Sequence, residues 1–319
     1  MKDNRLNYID FAKVFAMLIV TIGHCAQSLS GSVFPELIIT KDLFISIHMP
    51  IFMIASGFVL NLNKIRLEKT HIFIVSKFKR LIIPLIFWYI IYCIVATKIP
   101  DMYDMFVTYW YLYALFMSLL IIKILTLFIS KDNIVAIIGI CLVFILPFTD
   151  YAHLNYMFPF IIIGYYLKKI INHLNIYICT TMLVVYAILY YFWDISYSVY
   201  IAPFNILELN RSMIVSFFFR LIIGVIGAIG IIGIFKHLDN SYLIKHISYL
   251  GKYTLVFYTM TTIINLFVKR IIVFFGLQID NSIILDISSI IFALLSLWCI
   301  YIFAKSIERN RKLSEILGC

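Results

Sequence analysis

The hydrophobic pattern divides the chain into long apolar runs that are separated by short polar breaks. A helix needs about 20 apolar residues to cross the hydrocarbon core of a bilayer, and ten runs approach or reach that length. The pattern therefore predicts an all-α, polytopic membrane protein with about ten transmembrane helices, in one membrane-embedded domain over residues 1–319. The predicted helices lie at 7–28, 42–62, 78–97, 105–129, 133–148, 152–168 (broken by Pro159), 174–194, 211–235, 249–275 and 282–304.

Composition agrees with a membrane environment and excludes a soluble domain. Hydrophobic residues make up 63% of the chain and charged residues 13%, whereas a soluble protein is about a quarter charged. The net charge of +10 does not indicate nucleic-acid binding, because the chain has no soluble basic domain. Excess lysine and arginine beside a membrane is typical of cytoplasmic loops in contact with anionic lipid.

The distribution of positive charge predicts the orientation of the chain. With the N-terminus inside, 18 of the 26 lysines and arginines fall in cytoplasmic segments and five in external ones. This bias places both termini in the cytoplasm. Lys2 and Arg5 precede the first apolar run, which spans a bilayer without a small-residue cleavage site, so the sequence favours a retained helix over a signal peptide.

The first helix carries three ionisable residues on one face. Lys13 and His24 are eleven residues apart, about three full turns and about 16 Å along the axis. Asp10 precedes Lys13 by three residues and can pair with it. Charged groups inside a membrane usually face a cavity and a functional site. A buried ion pair that only fixes helix packing is the alternative interpretation of Asp10 and Lys13.

The second helix adds a histidine at a similar depth. His48 lies near the external end of a helix that runs inward, so we expect it close to His24. A histidine is the natural general base near neutral pH, and two of them suit a base and its partner. No HExxH or Cys/His cluster is present, which disfavours a metal site, and the six cysteines contain no CxxC pair.

These two helices resemble those of the acyltransferase 3 family of bacterial integral-membrane O-acyltransferases, in its fucose O-acetylase-like branch. The resemblance continues in order along nearly the whole chain. The segments that carry it are "IDFAKVFAMLIVTIGH" (9–24), "FISIHMPIFMIASGFVL" (44–60), "KFKRLIIPLIFW" (77–88), "YWYLYALF" (109–116), "MFPFIIIGYYLKK" (157–169) and "ISYLGKYTLVFYTM" (247–260).

The resemblance implies a membrane O-acetyltransferase of the bacterial cytoplasmic membrane. Such an enzyme moves acetyl from cytoplasmic acetyl-CoA to a sugar hydroxyl of a surface polysaccharide or its lipid-linked precursor. His24 would be the catalytic residue, and Lys13, Lys77 and Arg80 would support the site or bind the acyl donor. Lys13 occupies a position where the family commonly has arginine. A lysine keeps the positive charge but cannot donate the two parallel hydrogen bonds of a guanidinium. A late histidine of the family is also missing near Thr261.

Other polar and aromatic residues could take part in the same acetyl transfer. The basic stretch 63–81 can hold the phosphates of the donor or simply anchor the loop to lipid. Trp110, Tyr111 and Asn155 are candidate acceptor-binding residues, because aromatic faces stack on sugars. Their alternative role is in the membrane interface.

Three questions stay open at the level of sequence. His24 could deprotonate the acceptor hydroxyl, or it could carry the acyl group itself. A transporter, flippase or polymerase for a lipid-linked sugar, with His24 and His48 relaying protons, is the alternative function. A catalytically inactive scaffold is a third class, which the missing histidine near Thr261 permits. The sequence indicates no oligomeric state.

Overall fold

The chain folds into helices throughout the part that the structure describes. That structure is a computed structural model, and it describes residues 6–32, 35, 37, 43–145, 153–276 and 279–318. Those residues contain no β-strand, so the prediction of an all-α fold is confirmed. The α-helices are α1 (Asn7–Ser30), α2 (Leu43–Phe58), α3 (Leu62–Leu67), α4 (Thr70–Lys77), α5 (Ile83–Ala96), α6 (Met102–Thr108), α7 (Trp110–Phe128), α8 (Asp132–Ile145), α9 (Leu154–Ile170), α10 (Ile176–Tyr191), α11 (Arg211–His237), α12 (Tyr242–Ile247), α13 (Thr254–Phe275), α14 (Ser282–Ile307) and α15 (Arg311–Leu317).

Each of the ten predicted runs overlaps at least one of these helices. Among the described residues, six helical stretches are long and apolar enough to cross a membrane: Asn7–Ser30, Thr70–Ala96, Trp110–Phe128, Arg211–His237, Tyr242–Phe275 and Ser282–Ile307. Ile45–Phe58, Asp132–Ile145 and Ile176–Tyr191 are apolar but shorter. The total of ten spans and the position of the termini stay predictions. Lys2, Arg5, Lys41 and the end of the predicted run 133–148 lie outside the described residues.

Helix α1 lies at the centre of the bundle. It packs against α2, α11, α13 and α14, and most of its apolar stretch is buried inside the protein. The outer helices instead expose large apolar side chains, such as Ile94 and Trp298, at 70% and 61% of their surface. An apolar outer surface of this kind is stable against lipid and not against water. The central position of α1 explains how it can carry polar groups.

Helices α2 and α9 approach each other through two glycines. A Cβ at Gly57 would collide with the carbonyl oxygen of Ile161, and one at Gly164 would collide with that of Ile54. Small residues allow the backbones of membrane helices to pack closely, and Gly57 and Gly164 permit that close approach here. Pro159 lies within α9, which continues through it, so the prediction of a broken sixth helix is wrong.

The third predicted helix begins earlier than expected and contains a wide turn. Helix runs without interruption over residues 70–96, and its segment Phe78–Ile82 is π-helical, with the Ile83 N–H donating to the Phe78 carbonyl. Proline has no N–H to donate to the carbonyl four residues before it, and Pro84 therefore favours this wider turn. Lys77 and Arg80 consequently lie in the middle of a helix and not at its start. Such π-turns are frequent at functional sites.

Candidate functional site

A cavity lined by cationic side chains lies beside the N-terminal half of α1. We call it the basic cavity; its volume is about 580 Å³. Its lining includes one carboxylate, Asp10, and apolar side chains such as Phe52, Leu112 and Leu115. The cationic residues that line it are Lys13, Lys77, Lys79, Arg80 and Lys252.

Two of these five cations form ion pairs with described carboxylates. Lys13 Nζ lies 3.1 Å from Asp10 Oδ1, as the sequence predicts, and Lys252 Nζ lies 2.6 Å from Glu308 Oε1. Among the side chains that the structure describes, no carboxylate lies within 4.0 Å of the charged groups of Lys77, Lys79 or Arg80. The π-turn therefore presents positive charge that an anionic ligand can neutralise.

The pair Asp10–Lys13 is held by the segment that precedes α13. A Cβ at Gly251 would lie 2.6 Å from the Asp10 Cβ, so only glycine lets this segment pass so close to α1. Gly251 and the neighbouring Lys252 both line the basic cavity. The late segment "ISYLGKY" thus meets the first helix at the ion pair.

A second cavity lies beside the C-terminal half of α1. We call it the histidine cavity, because His24 and His48 both line it; its volume is about 550 Å³. The expectation that the two histidines lie close together agrees with this placement. His48 is buried, and Pro50, two residues later, lies within α2. Lys269 of α13 is a cationic member of the same lining.

His24 is oriented by a neighbour on its own helix. Its Nδ1 lies 3.0 Å from Gln27 Oε1. An amide oxygen only accepts hydrogen bonds, so with the amide in this orientation Nδ1 carries the proton and Nε2 keeps a lone pair. His24 is exposed to the cavity. A general base needs such a lone pair within reach of a substrate hydroxyl.

An aromatic cluster forms another part of the histidine cavity. Trp110 and Tyr200 both line it. Three rings meet edge to face here. The ring centroid of His153 lies 5.1 Å from that of Trp110 and 5.7 Å from that of Tyr200, and the centroids of Trp110 and Tyr200 are 6.1 Å apart. Tyr200 comes from the long segment 194–210, which connects α10 with α11.

Two buried polar side chains hold this segment in place. Arg220 Nη1 donates to the Ala202 carbonyl at 2.5 Å, and Asn155 Nδ2 donates to the Phe204 carbonyl at 2.8 Å. The guanidinium of Arg220 also lies over the Tyr156 ring, 5.3 Å from its centroid. Both side chains stabilise a loop that would otherwise leave backbone groups unsatisfied.

Tyr258 lines both cavities. Its ring lies 5.4 Å from that of Tyr111 and 6.2 Å from that of Tyr109, each in an edge-to-face arrangement. Tyr111 lines the basic cavity, whereas its neighbour Trp110 lines the histidine cavity. The two cavities are therefore adjacent, and Tyr258 is part of the wall between them.

The structure brings together most of the residues that the sequence singled out. Asp10, Lys13, Lys77, Arg80 and Tyr111 line the basic cavity, and His24, His48 and Trp110 line the histidine cavity. Asn155 lines neither. Its contact with Phe204 supports a structural role, and its role in acceptor binding stays a prediction.

Lys123 of α7 lines neither cavity and contacts backbone carbonyls instead. It is 1% exposed, and its Nζ donates to the carbonyls of Ile65 and Glu68 at 2.8 and 2.6 Å. These carbonyls end α3, where helix carbonyls lack partners. Lys123 thus fixes the short segment that connects α2 with the helix carrying the basic cavity.

Sequence reasoning singled out none of Lys79, Tyr200, Lys252 and Tyr258, and it considered Lys79 only as a member of the basic stretch 63–81. No sequence signal distinguishes Lys79 from the other lysines and arginines of that stretch. Tyr258 occurs in a recognised segment, but its position between two cavities depends on how α13 packs. Among the described residues, no group of three or more His, Cys, Asp or Glu could hold a metal ion.

Comparison with known families identifies the class of protein that carries these cavities. The model of the acyltransferase 3 family, described as an acyltransferase domain, matches residues 6–304. Because the match covers nearly the whole chain, the protein belongs to this family of membrane acyltransferases. Searches of curated proteins and of solved structures found no match.

Proposed function

We propose that the protein transfers acetyl from cytoplasmic acetyl-CoA to a sugar hydroxyl of a surface polysaccharide or its lipid-linked precursor, in a bacterial cytoplasmic membrane. One observation carries the proposal. A cation-lined cavity and a histidine-lined cavity lie at opposite ends of α1 and share Tyr258 in their walls. With the N-terminus inside, the basic cavity faces the cytoplasm, where acetyl-CoA is made.

The basic cavity suits the donor in charge and in shape. Coenzyme A has an anionic nucleotide end and a long, largely uncharged arm that ends in the thioester. Lys77, Lys79 and Arg80 supply cations that form no ion pair with a described carboxylate. Arg80 can form the planar, bidentate contacts that phosphate favours. Apolar side chains such as Leu112 and Leu115 line the same cavity and suit the arm. The arm would extend toward the wall at Tyr258.

The histidine cavity suits the acceptor. The faces of Trp110 and Tyr200 offer apolar area to a sugar ring, and His24 Nε2 offers a base. In direct transfer, the sugar hydroxyl gives its proton to Nε2 while its oxygen bonds to the thioester carbon. The carbon–sulfur bond then breaks, and the CoA thiolate takes up a proton. The products are an acetyl ester and free CoA.

A stepwise route uses the same residues. His24 Nε2 attacks the thioester, CoA leaves, and the acyl group passes from the imidazole to the sugar oxygen. Rapid quenching after mixing with labelled acetyl-CoA separates the two routes. Label bound to His24 in the absence of acceptor supports the stepwise route. Direct transfer leaves the protein unlabelled.

The test of the proposed function uses purified protein in lipid nanodiscs. Labelled acetyl-CoA and a panel of sugars and lipid-linked sugars are supplied, and ester formation is measured for the wild type and for His24→Ala. We expect transfer by the wild type only, and loss of one acetyl increment from the surface glycan of a deletion strain. Absence of CoA binding, or movement of a lipid-linked sugar without ester formation, would instead favour a transporter.

A further inference from the structure

We infer that the C-terminal helix α15 is part of the acyl-donor site, and that its position sets the affinity for the donor. The inference rests on the proposed function, because it takes the ligand of the basic cavity to be a CoA thioester. It goes beyond that function by assigning donor binding to a segment that follows the residues matched to the family, which end at 304.

The end of α15 lines the basic cavity directly. Ser314 and Gly318 belong to the same lining as Lys77 and Arg80. The helix also packs against α5 and against the π-turn Phe78–Ile82. Displacement of α15 would therefore widen the cavity and remove support from the turn that presents the cations.

A buried hydrogen bond fixes the end of α15 to α5. Trp88 Nε1 donates to the Leu317 carbonyl at 3.1 Å, and Leu317 is 4% exposed. The carbonyl belongs to the last turn of the helix, where no intrahelical partner is present. This bond gives the short helix a defined place against the rest of the fold.

Gly318 fits the helix end against α13. Its φ of 80° is left-handed, which glycine adopts without strain, and a Cβ there would collide with Leu255. Leu255 itself lines the basic cavity. A side chain at position 318 would therefore have to displace either the end of α15 or the Leu255 side chain, and both belong to the cavity wall.

A charged contact anchors the start of the C-terminal segment. Glu308, just after α14, accepts hydrogen bonds from Lys252 Nζ and Tyr253 Oη, each at 2.6 Å. These donors hold the pKa of the Glu308 carboxyl below its usual value. Lys252 lines the basic cavity, so this anchor joins the start of the C-terminal segment to the cavity wall, while the Trp88 contact joins its end to α5.

The experiment measures CoA affinity by calorimetry on the full-length protein in detergent. Gly318→Ala displaces the end of α15, and Trp88→Phe removes the hydrogen-bond donor. Gly276→Ala is the matched glycine control, because Gly276 also has a positive φ (64°) but nothing within 4 Å of the added Cβ. Trp298→Phe on the outer surface of α14 is the matched tryptophan control.

We expect Gly318→Ala and Trp88→Phe to weaken CoA binding by about tenfold, or 1.4 kcal/mol, and the two controls to keep the wild-type Kd. CoA should also protect the wild-type chain from tryptic cleavage after Arg311 and Lys312. An equal loss of CoA affinity in Gly318→Ala and Gly276→Ala would show that backbone strain alone causes the loss, and it would overturn the inference.

Lys77→Ala separates this inference from the proposed function. If Lys77→Ala weakens binding while Gly318→Ala and Trp88→Phe do not, α15 is not part of the donor site and the proposed function stands. If the wild type does not bind CoA, the proposed donor is wrong and the inference fails with it. Thermal unfolding of each variant gives the folded fraction used to correct the affinities.

Discussion

Lys13 and His24 leave the same face of α1, yet each lines a different cavity. Their eleven-residue spacing separates them by about 16 Å along the axis. Lys13 lies among the cations of the basic cavity, and His24 lies with His48 in the other. Helix α1 therefore forms one continuous wall of both cavities. Tyr258 of α13 lines both cavities beside this wall.

Replacement of His24 should abolish transfer and spare donor binding. Removal of a general base typically costs 10²–10⁴ in rate, and His24 lies outside the basic cavity, so His24→Ala should keep the wild-type affinity for CoA. Labelled-acetyl transfer and CoA calorimetry on the same preparation check both expectations. His246→Ala, an exposed histidine in α12, is the control and should be fully active. Transfer by His24→Ala would remove His24 from the mechanism.

Replacement of Lys77 or Arg80 should weaken donor binding in a salt-dependent way. A hydrogen bond to a charged group contributes about 1.5–3 kcal/mol, and contacts between exposed charges weaken as salt increases. We expect a raised Kd for CoA and a raised KM for acetyl-CoA, with a shallower salt dependence than in the wild type. Lys64→Ala removes a cation of the same basic stretch outside the cavity lining. If Lys64→Ala has an equal effect, the charge acts generally and not at a site.

Replacement of Tyr258 should uncouple thioester cleavage from transfer. Tyr258→Ala removes a ring from the wall between the cavities, so water from the histidine cavity gains access to the donor. We expect hydrolysis of acetyl-CoA without acceptor to increase relative to ester formation. Tyr258→Phe keeps the ring and serves as the matched variant. An unchanged ratio in Tyr258→Ala would show that this ring does not separate the cavities.

Replacement of Lys123 should destabilise the fold. Lys123→Met leaves the buried carbonyl of Ile65 and the half-buried carbonyl of Glu68 without their donor, and a buried unsatisfied group costs about 1–3 kcal/mol. Thermal unfolding in detergent should show a lower Tm, and Lys131→Met, at an exposed lysine before α8, should not. Saturating CoA should bind the folded fraction of Lys123→Met with near wild-type affinity. A normal Tm would contradict the structural role.

Much of the fold and part of the site could be predicted from the sequence, since both depend on local pattern. Apolar runs locate helices because backbone groups must be satisfied within each segment in lipid. The Asp10–Lys13 pair followed from a spacing of three residues. The extent of the helix around Lys77 did not follow, because a charged stretch gives no hydropathy signal for a helix that continues beyond the membrane.

Two adjacent residues show most directly what the local sequence pattern cannot predict. Trp110 and Tyr111 read as one aromatic segment, but a step of 100° around α7 directs them into different cavities. Asn155 and Arg220 look like functional polar residues inside apolar runs. The structure uses them to hold the segment 194–210, a contact between residues more than 15 positions apart in the chain.

The sequence by itself determined the all-α membrane class, the family and the stripe of Asp10, Lys13 and His24, because these depend on composition, periodicity and ordered motifs. Only the tertiary structure decided that the stripe serves two cavities, that Tyr258 stands between them, and that α15 completes the wall of one. Those facts depend on which helices pack together. Packing partners are chosen by shape and by close contacts such as Gly251 against Asp10 and Gly318 against Leu255, and no local pattern contains them.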